Sequence, residues 1–176
     1  MNDYAVVLDL EVNLGSDRND PSPYNKNNTL AAIGYTIRSP HGYLVEGNTD
    51  VVILDIEDSG SAEFDWAFLT FKQTLSNASY VVAHNAKFDV AWLREIGIDC
   101  DIKIIDTMIS EYILCKGIRG QLSLNALSQK YETTAKESLL SDILNRGLNF
   151  SDMSLENQQT YLRHDVLATA EVFQAQ

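Results

Sequence analysis

Apolar positions along the chain fall into runs whose spacing changes partway through. Residues 4–10, YAVVLDL, are a nearly continuous apolar run, the pattern of a central strand buried on both faces. The polar stretch that follows, NLGSDRNDPSPYNKNN at 13–28, is a long connection for a compact domain, and such segments are either functional or mobile. TLAAIGYTIR at 29–38 predicts a second strand. GYLVEG and VVILD predict a third strand region, set off by Ser39-Pro40-His41-Gly42 as a turn. Consecutive strands with short turns predict an antiparallel meander.

The period then switches to alternating β and α. AEFDWAFLTFKQTL at 62–75 has helical spacing, SYVVAH at 79–84 reads as a strand, and AKFDVAWLREIG at 86–97 reads as a helix. After the short strand-like DIKII, helices are predicted over TMISEYILC, SLNALSQKY, AKESLLSDILNR and from about Ser154 to Phe173. This order predicts an α/β fold: a mixed five-stranded sheet, made of a three-strand antiparallel meander plus two parallel strands, flanked by helices. With 176 residues, 45% of them hydrophobic, the chain is expected to be one globular domain, 1–176.

Composition narrows the chemistry. No run reaches the roughly 18 apolar residues of a membrane helix, and Met1 leads straight into a strand pattern, so a soluble cytoplasmic protein without a membrane partner or signal peptide is expected. Cys100 and Cys115 lack C-x-x-C spacing, and His41, His84 and His164 are the only histidines. A nitrogen-sulfur metal site is therefore not expected, while oxygen ligands for a hard cation are plentiful. The net charge of −12 argues against tight independent grip on nucleic acid, which depends on Lys and Arg at phosphates. Bound cations would reverse that field locally.

Acidic residues interrupt three apolar faces. Strand alternation puts Ala5, Val7, Asp9 and Glu11 on one side of the first strand. In the helix after the fourth strand, Asp89 shares a stripe with Trp92, Leu93 and Ile96, and Asn85 stands where it could cap the helix. In the last helix, Asp165 aligns with Tyr161, Ala168 and Val172. An inward carboxylate requires a cation, a hydrogen-bond partner or a proton, and divalent cations serve all of them if they converge. With 25 acidic residues in 176, single short motifs carry little weight. Asp55-Ile56-Glu57 repeats the D-x-E spacing, and Asn13 to Asp17 repeats N-x-x-x-D, without the same structural context.

In that order and context, LDLEV (Asp9, Glu11), AHNAKFD (Asn85, Asp89) and YLRHD (Tyr161, Asp165) resemble the three motifs of the DEDD 3′–5′ exonuclease superfamily. Thr160 occupies the place of the histidine of that superfamily's other branch, so the resemblance is to the tyrosine branch. His84 is read as a strand-end residue. DPSPYNKNNTLAAIGY, IIDTMISEYIL and SLNALSQKY look most like proofreading domains of phage family A DNA polymerases, although Asp106 is read as an N-cap for the following helix rather than a ligand.

The resemblance implies a ribonuclease-H-like fold and two divalent cations, Mg²⁺ or Mn²⁺, held by Asp9, Glu11, Asp89 and Asp165, with Tyr161 orienting the attacking water. It implies a nucleic acid 3′ end as substrate, DNA favoured over RNA, and host cytoplasm as the location if the protein is phage-encoded. Substrate contacts are expected from Leu14, Asn85, Lys87, Lys116 and Arg119, for which ordinary solvated or packing roles are the competing readings. The acidic surface adds the expectation of a DNA polymerase or other replication partner. The alternatives are an RNA exonuclease resembling ribonuclease D, or a catalytically silent binding module.

Overall fold

The computed structural model describes residues 3–45, 51–98, 101–118, 120–134, 143 and 146–176. Its strands are β1 (Ala5–Asn13), β2 (Thr29–Arg38), β3 (Val52–Asp55), β4 (Tyr80–Ala83) and β5 (Ile104–Asp106). Its helices are α1 (Ala62–Asn77), α2 (Lys87–Glu95), α3 (Thr107–Leu114), α4 (Leu124–Tyr131) and α5 (Leu155–Ala175), with 3₁₀ turns at Ile56–Asp58 and Phe150–Asp152. The sheet runs β3-β2-β1-β4-β5. β1 is antiparallel to β2, and β2 to β3; β1–β4 and β4–β5 are parallel. This is the meander plus two parallel strands that the pattern predicts. The expected helix over AKESLLSDILNR falls largely outside the described residues, as do Glu46 and Gly47 at the end of GYLVEG.

Alternation along β1 sends its side chains to two different layers. Val6, Leu8, Leu10 and Val12 pack with Phe71 and Leu75 of α1 and with Trp92 and Leu93 of α2. Ala5 and Val7 face Ala170 and Phe173 of α5. Asp9 and Glu11 share the α5 face, where they are half-buried between fully buried neighbours. A register shift between Glu11 and Val12 leaves Ala31 without a partner in β1, a bulge after which Val12 and Asn13 still pair with β2.

Gly34 decides how closely α5 can lie on this face. It pairs with Asp9 in the β1–β2 ladder, and a Cβ placed there would stand 2.7 Å from Leu162 Cγ and 2.9 Å from Val166 Cγ2. The missing side chain lets the helix backbone approach, and the residues preceding those two on α5 are Tyr161 and Asp165. Beyond α5, Leu124 and Leu127 of α4 cover Ala168 and Val172 as an outer layer.

The 14–28 connection is built, although most of it has no regular secondary structure. Asn28 Oδ1 accepts from Gly15 N, and Asn28 Nδ2 donates to the carbonyls of Asp20 and Ser22. Trp92 Nε1 donates to the Pro21 carbonyl at 3.0 Å. At the other margin Leu14 N donates to Asn149 Oδ1, Arg18 Nη1 to the Leu148 carbonyl, and Asn13 exchanges two hydrogen bonds with Ser151. These bonds tie the long polar loop to the body of the protein at both ends. Among the described residues no helix is long and apolar enough to cross a membrane.

Candidate active site

Three parallel strands end at one edge of the sheet, and the acidic residues gather there. Asp9 and Glu11 come from the end of β1, and Asp165 from the middle of α5. Each offers a carboxylate oxygen within 4.8 Å of the others. Asp165 and Tyr161 are buried, at 1% and 2% exposure, whereas Asp9 and Glu11 are half-buried, so the cluster has a closed floor and an open mouth.

Asp89 approaches from the opposite face of the sheet and is not part of that three-residue group. β1 extends beyond the last residue that pairs with β4, and there the Leu10 N–H donates to the Asp89 carboxylate. Burial, followed by the negative charges of Asp9 and then Asp106, holds the Asp89 carboxyl well above the usual range, against the bonds from its own amide and that of Leu10. One of its oxygens, Oδ1, is buried with no hydrogen-bond partner. An unpartnered carboxylate oxygen beside three converging carboxylates fits a hard divalent cation, and an all-oxygen donor set suits Mg²⁺ or Mn²⁺ better than zinc or copper.

Tyr161 lies in the same cluster. Burial first, then the charges of Glu11, Asp165 and Asp9 and the bond it donates to Asp165, push its hydroxyl far above the ordinary phenol value. It donates a hydrogen bond to Asp165. Its ring meets Phe150 edge-on with centroids 6.3 Å apart, and Phe150 is itself buried in the 3₁₀ turn that Asn13 and Ser151 tie to β1.

The remaining expected residues scatter. Asn85 does not cap α2, contrary to the sequence expectation. Its backbone is left-handed at φ 63°, the N-cap position is Ala86, and no side chain of that residue makes the cap bond. The turn before α2 is held from another strand instead: Asp106 Oδ1 accepts from Asn85 N at 3.1 Å and Asp106 Oδ2 from Ala86 N at 2.9 Å. Asp106 also caps α3, as expected, through Met108 N and Ile109 N. His84 stands just past β4 with Nδ1 2.9 Å from Thr107 Oγ1.

Leu14 is half-buried and packs beside the α1–α2 core cluster, while Lys87 and Lys116 are exposed. Arg119 lies outside the described residues. Asp55, at the end of β3, accepts from Glu57 N, and Asp17 likewise accepts from Asn19 N, so in both lookalike motifs the aspartate caps a local turn. Gly34, Phe150 and the reach of Asp106 were not singled out by spacing. Only the glycine inside an apolar strand carried a local signal.

Comparison with known proteins gives the chain a family and a fold. A family model described as 3′-5′ exonuclease matches residues 40–175, a span that holds Asp89, Tyr161 and Asp165 and begins after Asp9 and Glu11. The DNA polymerase I of Borreliella burgdorferi is 26% identical over 111 residues, which is 63% of this chain and 12% of that much longer protein. Among solved structures, a nuclease in its apo form superposes with a TM-score of 0.63 at 14% identity, covering 97% of this chain and 70% of that one. Exonuclease I gives 0.59 at 10% identity over 99% of this chain and 40% of its own. The RNase domain of yeast Pop2 gives 0.56 at 12% identity over 97% and 75%. These likenesses show a shared ribonuclease-H-like fold.

Proposed function

Because the chain belongs to the 3′–5′ exonuclease family, we propose that it is a metal-dependent exonuclease of the tyrosine branch that removes nucleotides from the 3′ end of DNA. The observation that carries the proposal is the convergence of Asp9, Glu11 and Asp165 within 4.8 Å, beside the buried Tyr161 hydroxyl.

In the proposed reaction water adds to the terminal phosphorus, the P–O3′ bond breaks, a nucleoside 5′-monophosphate leaves, and the shortened strand keeps a 3′-hydroxyl. Two divalent cations, Mg²⁺ or Mn²⁺, held by Asp9, Glu11, Asp165 and Asp89, would supply positive charge at the phosphate and a more acidic water. Tyr161, kept protonated by its surroundings, donates a hydrogen bond and cannot serve as a base; it orients the water. Asp165 accepts from that hydroxyl and so fixes the direction in which the ring points. The half-burial of Glu11 supports a role at the open side of the cluster, toward the substrate. Asn85 and Lys87, at the start of α2, and Leu14, at the end of β1, flank the same edge and are the proposed substrate contacts. Lys116 and Arg119 are proposed as more distant phosphate contacts.

The phage proofreading phrases and the alignment with a bacterial DNA polymerase I support DNA as substrate and a polymerase as partner. The net charge of −12 supports a helper that supplies the nucleic-acid grip. The test uses matched DNA and RNA oligonucleotides, 3′-labelled or 3′-blocked, with Mg²⁺ or Mn²⁺ and Asp9→Ala as control. Stepwise release of 5′-mononucleotides from free DNA 3′ ends is the expected result. Cleavage of blocked ends would sink the exonuclease reading, and preference for RNA would replace DNA by the ribonuclease D-like alternative.

A further inference from the structure

Asp106 bridges two helix starts. Its Oδ1 accepts from Met108 N at 2.9 Å and Ile109 N at 3.3 Å, capping its own helix α3. The same oxygen accepts from Asn85 N at 3.1 Å, and Oδ2 accepts from Ala86 N at 2.9 Å, in the turn that launches α2. A single carboxylate thus receives four backbone N–H groups from two segments 20 residues and more apart in the chain.

The α2 turn has no cap of its own. Asn85 is in the left-handed region and Ala86, at the N-cap position, has no side-chain acceptor, so the two amides that lead into α2, Asn85 N and Ala86 N, are held by Asp106 from the neighbouring strand. Asp89 sits one turn further along the same helix, with its carboxylate on the Leu10 amide of β1 and near Asp9. Where α2 begins therefore sets where the Asp89 oxygens stand. A carboxylate here also adds repulsion toward Asp89, although Ser or Asn would cap α3 as well.

We propose that Asp106 is a positioning residue of the exonuclease site: by tethering the Asn85–Ala86 amides to the end of β5, it fixes α2 so that Asp89 meets Asp9 and the cation they would share. The inference rests on the proposed function for its catalytic meaning, and on the hydrogen bonds alone for its geometry.

Two substitutions separate tethering from capping. Asp106→Ser keeps a good cap for α3 but is too short to reach α2. Asp106→Asn keeps Oδ1 and turns an NH₂ toward the Ala86 N–H, setting donor against donor. Mn²⁺ affinity is measured on the intact protein by calorimetry and electron paramagnetic resonance, kcat and KM on a DNA 3′ end, and exchange protection of the Leu10 amide by NMR. In Asp106→Ser, Mn²⁺ affinity and kcat are expected to fall by about 10- to 100-fold, as for other groups that orient a metal ligand, with KM within about twofold.

Leu10 protection is expected to fall at least about tenfold while α3 keeps its helicity, since Asp89 would no longer hold that amide. Asp106→Asn is expected to show the same direction and serves if the serine variant does not fold. Parental Mn²⁺ affinity, kcat and Leu10 protection in a folded variant would overturn the proposal. A parent protein that binds no Mn²⁺ would remove the exonuclease reading instead, and the Leu10 amide would then judge the positioning by itself.

Discussion

Gly34→Ala should damage the site without touching any of its polar groups. The new Cβ would lie 2.7 Å from Leu162 Cγ and 2.9 Å from Val166 Cγ2, whereas ordinary carbon contacts begin near about 3.5 Å, so the α5 side must retreat by roughly 0.6 to 0.8 Å. Both neighbours are fully buried, at 0% exposure, and have no open space to swing into. Overpacking of this kind costs about 1 to 3 kcal/mol, which for a chain of this size lowers Tm by about 2 to 4 °C per kcal/mol. The same retreat carries Tyr161 and Asp165 away from Asp9 and Glu11, and Mg²⁺ tolerates little departure from ligand distances of about 2.0 to 2.1 Å. A misplacement approaching 1 Å can reduce turnover by about 10²-fold.

The assay pairs thermal unfolding with steady-state release of mononucleotides well below Tm. Gly120→Ala serves as the control, because a Cβ there meets nothing within 4 Å. Gly34→Ala is expected to lose about 10- to 100-fold in kcat, and the control to lose nothing. A lowered Tm with parental kcat would show that the α5-to-sheet distance does not govern the site. Parental values of both would show that Leu162 and Val166 yield at no cost.

Three further outcomes follow from the same geometry. Tyr161→Phe should lower kcat by on the order of 10²-fold, as loss of a site donor does, while calorimetric Mn²⁺ affinity stays at the parental value; unchanged turnover would take the hydroxyl out of the reaction. Asp89→Asn should raise Tm in EDTA at neutral pH. A carboxyl held above its unfolded value favours folding while protonated and loses that contribution as pH rises through its folded value, and the amide has no charge to bury. Mg²⁺ should then stabilise the variant less than the parent, and a lower Tm in EDTA would refute the argument.

Glu111→Gln concerns acid stability. Burial opposes its charge, but bonds from Cys115, Lys130, Tyr131 and Gln176 bring Glu111 down from 4.5 to about 2. Its contribution is therefore present above about pH 4.5 and is lost as pH falls toward about 2. Glutamine should cost about 1 to 3 kcal/mol at neutral pH and flatten the fall in Tm between those values, which a pH series of melting curves would show or exclude.

The strands and helices were legible because period-2 and period-3.6 runs survive in the sequence and because the two layers of the sheet need different faces of β1. The convergence of Asp9, Glu11 and Asp165 was legible for a related reason: charge in an apolar stripe has no cheap alternative to a partner. Residues whose roles depend on distance across the fold were not. Asn85 precedes a helix and is a favoured capping type, so local reasoning gave it the cap. The turn is instead held by Asp106, whose own local role on α3 concealed its reach to the Asn85 and Ala86 amides ahead of α2. Gly34 is ordinary in a list of strand residues and becomes decisive only once Leu162 and Val166 lie over it. Phe150 has no motif and is defined by the ring it touches.

Long polar loops are ordinarily where a chain accepts insertions and where proteases cut first. The 14–28 segment should do neither. Through Pro21 it holds Trp92, three residues beyond Asp89 on one side of the sheet, and its Leu14 and Arg18 hold the 147–149 strip that leads to Phe150 and Tyr161 on the other. It works as a hoop around the mouth of the site, joining the two sides of the sheet that the carboxylates come from. Lengthening it would loosen both sides together, so the part of this chain that looks most expendable ties the two flanks of the carboxylate cluster to each other.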